Sequence, residues 1–76
     1  MESLFRTNIR VNDKNVIYQV FFDKEKYIFL PEANDKEQPS FSFKREHDEW
    51  HNQELLSPQL KNQAIDALEN YLLAQH

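Results

Sequence analysis

FRTNIRVNDKNVIYQVFFDKEKYIFLP, residues 5–31, decides the fold, because it holds three strand-like segments separated by two short polar breaks. The segments are residues 5–11, 16–22 and 27–30, and the breaks are residues 12–15 and 23–26. Alternation of apolar and polar side chains, or a run of β-branched and aromatic residues, is typical of a strand. The stretch therefore predicts three antiparallel strands joined by tight turns.

The chain from Pro31 onwards contains a polar segment, then an alternating segment, and then a charged segment around Trp50. Residues 31–39 are polar with a proline at each end, which predicts a surface loop. Phe41 and Phe43 then alternate with small or charged residues, which predicts a fourth strand. Residues 47–54, around Trp50, fit either a turn with a short fifth strand or an irregular link.

A single helix is expected to follow at the C-terminal end. Ser57 is a favoured N-cap residue, and Pro58 suits the first helical position, so the helix should run from Pro58 to about Ala74. Its apolar side chains recur at helical spacing, at Leu60, Ala64, Ala67, Leu68 and Tyr71. The predicted fold is α+β: a four- to five-stranded antiparallel β-meander with one C-terminal α-helix on one face. Its 76 residues should form a single domain, 1–76.

Strand register predicts which side chains form the core. A four-residue loop at 12–15 would place Val11 opposite Val16, and closing the next turn at 23–26 would place Phe22 opposite Tyr27. Directly opposed residues share a face of the sheet. The helix and Trp50 should cover the face that carries Phe5, Ile9, Val11, Val16, Tyr18, Val20, Phe22, Tyr27, Phe29, Phe41 and Phe43.

The opposite face also has an apolar centre in this register. It would carry Ile17, Phe21, Ile28 and Leu30, with Arg6 opposite Phe21 and Arg10 opposite Ile17. Because one helix cannot cover both faces, we expect these six residues to bind a protein partner or to form a homodimer. Two alternatives remain: the 31–39 loop or the N-terminus could fold over the patch, or the sheet simply tolerates exposed apolar side chains.

Composition excludes several classes of site. There is no cysteine, so no thiolate can bind zinc or act as a nucleophile, and there is no glycine for a phosphate-binding loop.

An alternative function is single-stranded nucleic-acid binding, or a regulatory domain using the same face. It is suggested by Phe21 with nearby basic residues and by the segment FSFKR at residues 41–45. The formal net charge of −4 makes nucleic acid an unlikely partner.

Two histidines, His47 and His51, superficially match the zinc-protease spacing, but an aspartate follows the first where the motif has glutamate. Glu54 could offer a third oxygen ligand to an adventitious metal ion, but a surface turn is the expected structure. We expect no metal site, no catalytic residue and no cofactor, so the chain is predicted not to be an enzyme. Apolar runs are too short to span a membrane, and the N-terminus does not resemble a secretory signal. A soluble, cytoplasmic protein is therefore expected.

Overall fold

The computed structural model describes residues 1–32 and 37–75. Five antiparallel strands form one sheet in the order β1-β2-β3-β4-β5, and one helix follows them. This architecture confirms the predicted fold, and the segment around Trp50 supplies the fifth strand. The elements are β1 Glu2–Val11, β2 Lys14–Asp23, β3 Lys26–Pro31, β4 Phe41–Glu46, β5 Glu49–His51 and α1 Pro58–Ala74.

Three of the connections are two-residue turns in which both residues have positive φ. Positive φ at both central positions defines the type I′ turn, whose twist matches that of the flanking strands. Glycine and asparagine normally take these positions, but the chain has no glycine. The six residues, with φ between 50° and 67°, are Asn12, Asp13, Lys24, Glu25, His47 and Asp48.

The predicted β1–β2 register is wrong by two residues, whereas the β2–β3 register is confirmed. Val11 pairs with Lys14 instead of Val16, because the turn contains two residues instead of four. Phe22 pairs with Tyr27 as expected. A shift of two residues leaves every side chain on its predicted face, so the error does not change the core.

The core matches the predicted face closely. Tyr18, Phe29 and Phe43 are fully buried, and Phe41 stacks on Phe29 with ring centroids 4.8 Å apart. Phe5, Tyr27 and Trp50 are partly buried at the margin of this core. Among residues 1–32 and 37–75, the buried hydrophobic residues are Ile9, Val11, Val16, Tyr18, Val20, Phe29, Phe41, Phe43, Leu60, Ala64 and Leu68.

The helix begins and ends as predicted, and it lies along β1. Ser57 caps it by accepting a hydrogen bond from the Leu60 backbone at 3.2 Å. The side-chain amide of Gln63 forms two 2.9 Å hydrogen bonds with Arg10, accepting from its backbone N–H and donating to its carbonyl. Because β1 is an edge strand, this amide occupies the place of a neighbouring strand at that position.

Candidate functional site: the outer sheet face

The four apolar residues predicted to lie away from the helix all do so. Phe21 pairs directly with Ile28, and Leu30 pairs with Gln19 on the same face. Phe21, Ile28 and Leu30 are each half-buried, and Ile17 is 39% exposed. Since these three half-buried side chains are adjacent in the register, we call Phe21, Ile28 and Leu30 the outer patch.

The two predicted arginine neighbours are placed differently from the prediction. Arg6 lies opposite Gln19 instead of Phe21, and Arg10 lies opposite Asn15 instead of Ile17. The cause is the two-residue turn, which moves each β1 residue two positions along β2. Neither arginine therefore directly faces the residue that it was expected to flank.

Arg6 is held by Glu32 in a two-pronged ion pair. Its Nε lies 2.7 Å from Oε2 of Glu32, and its Nη2 donates to Oε1 at 3.0 Å. Glu32 is itself fixed, because its backbone N–H donates to the Ile17 carbonyl at 3.0 Å. The ion pair thus crosses β2 between Gln19 and Ile17, and it separates Ile17 from the outer patch.

Gln19 strengthens this separation. Its side-chain Nε2 donates to the Ser3 hydroxyl at 2.6 Å and to the Phe5 carbonyl at 3.0 Å, beside a β-bulge between Ser3 and Phe5.

The ion pair between Arg6 and Glu32 has the planar, two-pronged geometry that is a strong form of the arginine–carboxylate contact. Glu32 was not among the site residues predicted from the sequence. Its position directly after the strand that ends at Pro31 was a signal that it could lie beside the outer face.

The outer face is electrically balanced, although the chain is acidic. Four basic and four acidic side chains point outward from it, so its formal charge is zero and the rest of the chain carries the whole −4. Some of these charges are already paired within the face, as in Lys44–Glu46 at 3.4 Å. The basic members are Arg6, Arg10, Lys26 and Lys44, and the acidic members are Asp23, Glu32, Glu46 and Glu49.

The remaining predicted features lie outside this face or at its margin. Phe41 and Phe43 are buried in the core, so they offer no aromatic platform for bases. His47 lies in the β4–β5 turn, and His51 lies opposite Lys44. In residues 1–32 and 37–75, no group of three histidine, aspartate or glutamate side chains could hold a metal ion.

The segment 31–39 was expected to be a surface loop and a candidate cover for the outer patch. Part of it lies outside the described residues.

No helix in the described part of the chain is long and apolar enough to cross a membrane.

Comparisons with protein-family models, with curated proteins and with solved structures gave no match for this chain. Its function must therefore be argued from the geometry of its own surface.

Proposed function

We propose that this chain is a small, non-enzymatic protein-interaction module that self-associates through its outer sheet face. The proposal rests on one observation: Phe21, Ile28 and Leu30 are contiguous on the face that the helix leaves uncovered. Apolar clusters with polar margins are typical of interaction surfaces. A cytoplasmic location belongs to the same proposal, and the cysteine-free composition fits a reducing compartment.

Charge favours a second copy of the chain as the partner. Two molecules that each carry −4 repel one another over most of their surfaces. The outer face is different because its opposing charges cancel, so two copies can approach there without net repulsion. A polyanion gains nothing from a neutral face, and the guanidinium of Arg6 is already engaged by Glu32.

The size of the face predicts a weak dimer. Five strands about 4.8 Å apart span about 24 Å, and six residues of strand span about 20 Å. Each copy would then contribute about 500 Å² and the pair about 1,000 Å², which is near the lower limit for a specific interface. We therefore expect association that depends on concentration and becomes detectable only in the high micromolar range or above.

Analytical ultracentrifugation over a wide concentration range tests this proposal. The wild-type protein is expected to dimerise, and Phe21→Ser and Ile28→Thr are each expected to weaken dimerisation while the circular dichroism spectrum is unchanged. Ile28→Thr keeps the β-branched shape, so it remains informative if the serine variant unfolds. Leu55→Ser is a matched control, because Leu55 is fully exposed elsewhere on the molecule.

A wild-type protein that stays monomeric at millimolar concentration rejects self-association. If both outer-patch variants dimerise as strongly as the wild type, another surface is responsible. Binding of single-stranded oligonucleotides at low salt, lost in Phe21→Ser, would instead support the nucleic-acid alternative, since phosphate contacts make such binding salt-dependent.

A further inference from the structure

A second surface lies on the helix side of the molecule, between the C-terminal half of α1 and Arg45 of β4. It is a groove with a cavity volume of about 710 Å³, within the range of small binding pockets. Leu73, on its wall, is 72% exposed. We call it the helix groove, and its lining residues are Arg45, Asp66, Glu69, Asn70, Leu72 and Leu73.

No side chain in the terminal turns of α1 offsets its dipole. A helix has partial negative charge at its C-terminal end, where basic side chains are stabilising. Here the last turn has no basic residue and the first turn has no acidic one. Lys61 is the helix's single basic residue and lies near its N-terminal end, whereas Asp66 and Glu69 lie further along. Negative potential therefore accumulates along the helix groove.

Arg45 compensates only part of this potential. Its Nη1 lies 3.9 Å from Oε2 of Glu69, and its guanidinium lies 4.9 Å from the centre of the Trp50 ring. Asp66 makes no ion pair within residues 1–32 and 37–75. The helix groove thus combines an uncompensated carboxylate with the side chains of two leucines.

We propose that the helix groove binds a short basic amphipathic segment of another protein. A lysine or arginine of that segment pairs with Asp66 and Glu69 and offsets the negative charge on this part of α1. An apolar side chain of the same segment packs on Leu72 and Leu73. The outer patch lies on the opposite side of the sheet, so this proposal stands whether or not the chain dimerises through that patch.

A designed peptide provides the probe. We would use a 14-residue amphipathic helix with lysines on one face, leucines on the other and no tryptophan, and a second peptide with glutamates replacing the lysines. Binding is followed by backbone amide NMR shifts and by the fluorescence of Trp50, the chain's single tryptophan. We expect saturable shifts at residues 66–73 with the lysine peptide alone, and weaker binding at higher salt.

Matched variants locate the contact. Leu73→Ser is expected to weaken peptide binding about tenfold through lost apolar contact, and Asp66→Asn about threefold through lost pairing of an exposed charge. Both residues are exposed, so neither change should affect folding. Leu55→Ser, another exposed leucine, should bind like the wild type.

Three results would overturn the proposal. The first is equal binding of the lysine and glutamate peptides, and the second is binding that neither Leu73→Ser nor Asp66→Asn changes. The third is loss of self-association in Leu73→Ser, because the helix groove would then be a contact between copies of this chain. The last result would also remove the outer face from the proposed function, whereas the first two leave it intact.

Discussion

Glu25→Gly should stabilise this protein, although glycine usually weakens a strand-rich fold. Glu25 is the second residue of the turn between β2 and β3, with φ of 67°, and Lys24 before it has φ of 50°. Neither residue has the short polar side chain that makes asparagine and aspartate tolerant of this region. Glu25 is exposed and makes no ion pair with the described residues, so its side chain contributes little that could be lost.

Two opposing effects set the magnitude. A left-handed conformation costs a residue with a Cβ about 1–2 kcal/mol, and glycine avoids that cost. Glycine also increases the entropy of the unfolded chain, which lowers the free energy of unfolding by about 0.4–1 kcal/mol. The net gain is about 0.5–1 kcal/mol, and for a domain of this size it corresponds to a Tm rise of roughly 2–8 °C.

Thermal and urea unfolding of three variants, each compared with the wild type, would measure this effect. Glu25→Ala is the matched control, because it removes the same carboxylate but keeps a Cβ at positive φ, so it should show no gain. Asp13→Gly in the first turn should gain less than Glu25→Gly, since aspartate tolerates φ of 65° better than glutamate does. If Glu25→Ala stabilises as much as Glu25→Gly, the effect comes from charge, and backbone strain at this turn is refuted.

Four further substitutions, at three positions, probe the helix and its contacts. Gln63→Ala should cost about 1–2 kcal/mol in urea unfolding and increase aggregation on heating, because both hydrogen bonds to the edge strand at Arg10 are lost. Ser57→Ala should cost about 1 kcal/mol by the same assay, through the lost cap on Leu60, while Ser57→Asp should retain most of the stability. Leu68→Ala should cost about 2–5 kcal/mol, as expected for a fully buried leucine, and a loss below 1 kcal/mol would contradict the packing of α1.

Local signals were sufficient to predict four strands and the helix, but they left the fifth strand open. The Ser57 cap and Pro58 predicted the start of the helix, and alternation along β1, carried to β2 by strand pairing, predicted which side chains face the core. The register of β1 against β2 was not predictable in the same way. Asn12 and Asp13 could form a two-residue turn or part of a four-residue loop. The two resulting registers differ by two positions, so the same side chains face the core in each, and hydrophobic alternation does not distinguish them.

The candidate site was predicted in its apolar part and missed in its polar part. The placement of Ile17, Phe21, Ile28 and Leu30 follows from the two-residue period of each strand and from pairing across the turns, and a register error of two residues does not change it. The pairing of Arg6 with Glu32 joins residues 26 positions apart across an intervening strand. Such a contact depends on the exact β1 register and on where β3 ends, so an error of two residues in one turn hides it.

The hydrogen bonds between Gln63 and Arg10, and the stacking of Tyr71 on Phe5 at 4.7 Å, join the last element of the chain to the first. Every strand pairs with the strand next to it in the sequence, so the sheet can assemble as successive hairpins while the chain leaves the ribosome. The apolar side of β1 is nevertheless covered only by α1, which is made after all five strands. During synthesis the apolar side of β1 therefore stays uncovered until α1 has been made, and a nascent chain stalled before Leu60 would present it to solvent.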